Sequence, residues 1–228
     1  MSPGSELQHS LNLWILLGAA FLLSLERICY LWIWRKPAAF RYWCARPLLA
    51  WIGGPVDVLA LLFCGFKALQ LAVFVSWGYV HSNGSLWPLD ATVGSLIAGG
   101  LSIAVGQSLN IGVFYRLGKV GVFYGNKFGY KIPWQRAFPF CFLSHPQYIG
   151  TVLSIWGFFL LLRSPHHDWY LIPVLETLYY AAGAYFERER PRSYTQPKRR
   201  VFPSIPSARF HGLFSFKQRK EFTRNHSR

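Results

Sequence analysis

The sequence predicts an all-α integral membrane protein, an antiparallel bundle of four to five transmembrane or re-entrant helices. Three observations carry that expectation. Of 228 residues, 52% are apolar and only 14% charged, a balance too greasy for an ordinary soluble domain. The apolar residues gather into five runs, most of them long enough to cross a hydrocarbon core of about 30 Å. Lysine and arginine crowd one set of connecting segments and are missing from another, the asymmetry that orients membrane bundles. Helices follow because backbone polar groups in lipid need partners inside their own segment or a closed barrel.

The first run covers residues 11–34 and is interrupted by Glu26-Arg27, which reads as an internal ion pair. It has no basic leader and is too long for a cleaved signal peptide, so it reads as retained. The second covers residues 56–80, with Lys67 inside it, and the third covers residues 91–115 without a charge. The last two, residues 148–162 and 169–186, form a hairpin whose turn holds Pro165 and His166-His167-Asp168. Counted out to His145 and Glu187 at its open end, each leg has about 17 to 19 residues and reaches roughly 25–28 Å as a helix. The fourth run is short enough to be re-entrant.

Residues 35–46 hold four basic side chains, residues 116–136 hold five, and residues 81–90 hold none. The first two segments and the C-terminal tail are therefore expected on the cytosolic side. Residues 188–228 contain twelve lysines and arginines against two acids, so most of the net charge of +15 belongs to the tail. Residues 1–190 read as one membrane-embedded domain and residues 191–228 as a basic, poorly ordered cytosolic tail. Such a tail suits anionic lipid headgroups; with no nucleic-acid motif beside the charge, nucleic acid is the weaker partner. Cys29, Cys44, Cys64 and Cys141 form no CxxC pair and read as reduced structural thiols, with neither metal site nor disulfide framework.

The hairpin carries the chemistry. It starts at Ser144-His145-Pro146-Gln147-Tyr148-Ile149-Gly150 and ends at Glu187-Arg188-Glu189. If both legs are helices, an imidazole, a phenol and two carboxylates meet at one membrane face from positions some forty residues apart. Pro146 suits the first helical position, Tyr148 lies one turn beyond His145, and Gly150 opens space beside both. Ionisable groups beside lipid are costly and suggest function, although helix-end pairing of Glu187 and Glu189 with neighbouring arginines is the plain alternative. In the third run, glycines at 94, 99 and 100 suggest close helix packing. From Gly106 onward they are interleaved with Gln107, Ser108 and Asn110, where backbone could approach a ligand or the amides could bond another helix. Residues 118–129 are too glycine-rich for a stable helix and read as a loop dipping toward the headgroups. Arg116, Lys119, Lys127 and Lys131 could there meet a lipid phosphate, or simply set topology.

These residues resemble the membrane phospholipid methyltransferases, in particular their small plant-type class. The likeness rests on Gly106-Gln107-Ser108-Leu109-Asn110, Val113-Phe114-Tyr115-Arg116-Leu117-Gly118, Gly121-Val122-Phe123-Tyr124-Gly125, Phe128-Gly129, Ile132-Pro133-Trp134, Phe138-Pro139-Phe140 and His145-Pro146-Gln147-Tyr148-Ile149-Gly150, and covers about residues 104–189. His-Pro-x-Tyr-x-Gly alone also suits prenylcysteine carboxyl methyltransferases and sterol reductases; the other stretches narrow the match. The resemblance implies S-adenosylmethionine as donor and no metal. It also implies N-methylation of mono- and dimethylated phosphatidylethanolamine, with the unmethylated lipid left open, to phosphatidylcholine in the endoplasmic reticulum.

The family's donor site pairs a Gly-x-Gly with a Glu-Glu, which map here to Ala104-Val105-Gly106 and Glu187-Arg188. Ala104 and Arg188 depart from that pattern, leaving Glu187 as the surer acid and Glu189 as a substitute. Cofactor contacts are thus expected from Ala104, Val105, Gly106, His145, Tyr148, Gly150, Glu187, Arg188 and Glu189. The lipid headgroup is expected at Asn110, Arg116, Lys127 and Lys131, with His145 and Glu187 as catalytic candidates. Two competing readings are a methyltransferase for a lipid-borne acceptor such as a prenylcysteine carboxylate, and a non-enzymatic bundle that gathers anionic lipid.

Overall fold

The computed structural model describes residues 3–81, 91–162 and 167–187; of residues 3–11 and 167 it describes the backbone alone. These residues are helical, with no strand among them. Seven α-helices follow in order: α1 Pro3–Arg35, α2 Pro37–Cys44, α3 Pro47–Ala50, α4 Pro55–His81, α5 Val93–Val122, α6 Pro146–Leu161 and α7 Leu171–Phe186. Segments in α1, α4 and α5 are long and apolar enough to cross a membrane. The 16-residue α6 and α7 reach only about 24 Å each. The expected boundary at residue 190, the basic tail and most of the hairpin turn lie outside the described residues.

Proline sets several starts. Pro37, Pro47 and Pro146 each occupy a first-turn position, where the missing N–H costs nothing. At α5 the Thr92 hydroxyl accepts from the Ser95 backbone N–H at 3.2 Å, an N-cap. Two expectations need correction. Residues 35–46 are not a plain loop: they carry α2 and lead into α3. Nor does the third run end near Tyr115, because α5 continues to Val122 with one break at Gly118 (φ 62, ψ −179). Glycine alone adopts that dihedral cheaply. Beyond it, Val120 and Val122 pack on a buried cluster and Lys119 reaches Asp57 of α4 at 2.5 Å; these contacts outweigh the poor helix propensity.

The bundle runs α5, α6, α7, α1, α4 by neighbour, with the α5–α6 contact the most extensive. Paired glycines explain that intimacy. A methyl on Gly157 would stand 2.6 Å from the Gly99 carbonyl oxygen, and one on Gly150 would stand 2.6 Å from the Gly106 carbonyl oxygen. Both pairs are seven residues apart on antiparallel helices, so backbone meets backbone two turns running, a packing mode suited to lipid. Gln107 adds an interhelical bond, its Nε2 donating to Ser154 Oγ at 2.9 Å.

Two apolar clusters fill the interior. One gathers Leu23, Phe74, Trp77, Ile155, Phe159 and Ile172; the other gathers Ile33, Phe40, Val56, Leu59, Phe123 and Phe128. Between their positions on α1 and α4 lies a polar layer. Lys67 Nζ donates to Glu26, to Gln70 Oε1 at 2.9 Å and to Tyr180 Oη at 3.0 Å. The expected Glu26–Arg27 pair is present at 3.3 Å, yet Glu26 is shared with Lys67 at 3.0 Å.

Candidate active site

Both ends of the hairpin arrive at one point. Tyr148 sits in the first turn of α6, and Glu187 caps the C-terminus of α7. The Tyr148 hydroxyl donates to Glu187 Oε2 at 2.5 Å. A second phenol completes the grip, with Tyr124 Oη donating to Glu187 Oε1 at 2.7 Å. A carboxylate at a helix C-terminus faces the unfavourable end of the dipole; two charge-assisted hydrogen bonds compensate. Tyr124 is held at φ 53, the one described non-glycine residue with positive φ. That geometry costs a tyrosine roughly 1–2 kcal/mol, and such strain gathers at functional sites. Rings from Tyr30 and Trp34 pack edge-on against it, with centroids at 6.3 and 5.2 Å.

Beneath this acid lies a cavity of about 60 Å³ whose lining includes Glu26, Arg27, Tyr30, Tyr124, Tyr148 and Tyr180. Tyrosines 124 and 148 are thus the wall between Glu187 and the cavity. His145 lies outside this wall: its exposed ring stacks on Tyr148 with centroids 5.8 Å apart and planes 17° apart. An imidazole at the mouth, a carboxylate held by phenols and a polar cavity behind them can bind a cation and accept a proton. Among the described residues, no three His, Cys, Asp or Glu cluster to hold a metal ion.

The remaining expected residues divide. Arg188 and Glu189 lie outside the described residues. Ala104 and Val105 are exposed on α5. Gly106 does not present open backbone, because Gly150 O and Ser154 fill the place of its missing side chain. Its visible role is to seat α6, and so to fix His145 and Tyr148. Gly150 likewise faces Gly106 rather than open space. Asn110 Oδ1 is buried against Gly150 without a hydrogen bond. Arg116 Nε donates to Phe138 O at 3.3 Å, Lys127 Nζ stands 3.8 Å from the Trp34 ring centroid, and Lys131 is exposed. None of these four lines the cavity.

Arg27, Tyr30, Tyr124 and Tyr180 line the cavity without a site role legible in the sequence, and Lys67 and Glu176 belong to the polar layer next to it. Charges inside apolar runs were the available signal for Arg27, Lys67 and Glu176. Tyr124 stood within a matching stretch without a role.

A helical membrane bundle with a phenol-held carboxylate, an imidazole and a polar cavity at one end has the groups to hold a cation and take up a proton at a lipid boundary. The comparisons make that chemistry specific. The family model for phospholipid methyltransferase matches residues 95–191, a span that holds all but the first two residues of α5, the whole of α6 and α7, and the Tyr124–Tyr148–Glu187 constellation. A relative from Arabidopsis thaliana, phosphatidyl-N-methylethanolamine N-methyltransferase, is 32% identical over 128 residues, which cover 55% of this chain and 67% of that protein. No solved structure matches. The chain belongs to the phospholipid methyltransferase family and is an enzyme.

Proposed function

We propose that the protein transfers methyl groups from S-adenosylmethionine to phosphatidyl-N-methylethanolamine and phosphatidyl-N,N-dimethylethanolamine, giving phosphatidylcholine. The site faces the cytosol in the endoplasmic reticulum membrane. The carrying observation is Glu187, its two oxygens held by phenols from α6 and from the segment after α5. The relative's printed activity on phosphatidyl-N-methylethanolamine supplies the acceptor class.

The residues fit such a donor, because its sulfonium and amino groups bring positive charge to a site with a fixed carboxylate and stacked aromatic rings. When bound, the donor supplies an electrophilic methyl group. Glu187, with Glu189 in support, neutralises the amino group, and His145 and Tyr148 orient the molecule at the mouth. Gly106 and Gly150 act through packing: by bringing α5 and α6 together they fix the height of Tyr148. The acceptor amine must shed its proton before it attacks, and His145 or Glu187 can take it. No covalent intermediate is needed, since in-line displacement gains mostly from orientation and exclusion of water. Arg116, Lys127 and Lys131 collect anionic lipid at the surrounding surface.

Expression in cells lacking their own methylation pathway, with labelled donor and analysis of lipid products, tests this reading. Label in phosphatidylcholine is the expected outcome. Label confined to prenylated protein carboxyl groups would reject it.

A further inference from the structure

From the cavity behind Glu187 we infer that Arg27 and Tyr30 form the subsite for the phosphodiester of the lipid headgroup. They would hold it so that the amine reaches the Tyr124–Tyr148 wall; the inference rests on the acceptor proposed above. Arg27 and Tyr30 both line the cavity, and both carry a buried polar atom without a hydrogen bond, Arg27 Nε and Tyr30 Oη. The Arg27 side chain is 13% exposed. Its guanidinium carbon stands 3.6 Å from the centroid of the Tyr180 ring, which covers the flat face of the group.

Charge points the same way. Arg27 and Lys67 both contact Glu26, while Glu176, a second buried acid close enough to act on both charges, is bonded directly to neither. Two cations therefore share one directly bonded carboxylate. Lys67 takes the shorter contact and two further partners, Gln70 and Tyr180, whereas Arg27 keeps a single 3.3 Å contact. A guanidinium short of acceptors in a low-dielectric interior favours an anion, and its fork suits phosphate oxygens. The two phenols bonded to Glu187 also line the cavity, and Glu26 lines it beside Arg27, so acidic groups that suit an amine share one cavity with a guanidinium that suits a phosphodiester. Its volume of about 60 Å³ holds roughly four to six waters, the bulk of a small zwitterionic headgroup.

The experiment compares the wild type with Arg27→Lys, which keeps the charge, and Tyr30→Phe, which keeps the ring. Initial rates are measured in mixed micelles on dimethylated phosphatidylethanolamine and on its uncharged O-methyl phosphotriester. The wild type should prefer the phosphodiester. In each variant the lipid KM should rise roughly tenfold to a hundredfold, the preference over the triester should shrink by a similar factor, and the donor KM should stay put. A variant that keeps the wild-type preference, or that loses donor affinity instead, overturns the assignment and returns Arg27 to a structural ion pair. Inorganic phosphate is the second arm: no competition is expected, and competitive inhibition that Arg27→Lys abolishes would make this a free-phosphate site. A wild type that methylates neither lipid defeats the functional reading itself. The inference fails separately, when an active enzyme discriminates without Arg27 or Tyr30.

Discussion

Gly150→Ala tests the link from helix packing to chemistry most sharply. The added methyl would lie 2.6 Å from the Gly106 carbonyl oxygen and 2.8 Å from Asn110 Oδ1, where ordinary contact begins at 3.4 Å. The amide of Asn110 can turn aside, but a helical carbonyl cannot. Helix α6 must therefore retreat by about 0.8 Å, the difference between those distances. Tyr148 lies two residues earlier on the same helix, and its 2.5 Å bond to Glu187 has no slack for such a shift. Overpacking of this kind costs about 1–3 kcal/mol, and a misplacement near 1 Å in a catalytic constellation can cost roughly a hundredfold in rate. Thermal unfolding in detergent without donor should show the stability loss, and methyl transfer in membranes the rate loss. Gly157→Ala, one glycine pair away, should show a comparable stability loss, because its methyl meets Gly99 O at 2.6 Å. Gly100→Ala, with nothing within 4 Å, should be neutral in both assays. A Gly150→Ala protein as stable and as active as the wild type would refute the reasoning.

Three further outcomes follow from named contacts. Glu187→Gln removes the charge and leaves one acceptor for two phenols, so donor binding should weaken roughly tenfold to a hundredfold; calorimetry with S-adenosylmethionine measures it, and unchanged affinity would detach Glu187 from the donor. Lys67→Met leaves Glu26 paired with Arg27 but takes the donor from Gln70 and Tyr180, so stability should fall by about 1–3 kcal/mol, read as a lower unfolding temperature in detergent; an unshifted transition would show the layer to be energetically neutral. Burial pushes the Cys44 thiol up to about 11, so at pH 8 it stays protonated and should resist a water-soluble maleimide, reacting only as pH approaches 11, while the exposed Cys141 labels first; equal rates at pH 8, read by mass spectrometry, would contradict its burial.

Much of the fold was legible because hydropathy is a local property. The run at residues 56–80 became α4 Pro55–His81, and the two hairpin legs became α6 and α7 within a few residues of their expected ends. The meeting of Tyr148 with Glu187 was legible too, since two helices of equal length joined by a short turn must return to one level. Boundaries governed by packing were not legible: α5 passes Gly118 because Lys119, Val120 and Val122 find partners on other elements. Gly106 shows the same limit. Its neighbours Gln107 and Asn110 suggested a ligand, but whether a glycine faces a ligand or another glycine depends on the crossing of two helices.

The sequence by itself determined a helical membrane chain, the hairpin that returns His145 and Tyr148 to Glu187, and the family resemblance in residues 104–189. Each of these is written in spacing along the chain. Only the tertiary structure decided that Tyr124, in a strained turn, supplies the second phenol to Glu187, and that Arg27 of α1 and Lys67 of α4 share one carboxylate behind it. Those partners come from four separate elements, and their choice follows from how helices cross and which side-chain rotamers fit between them, information that no single segment carries.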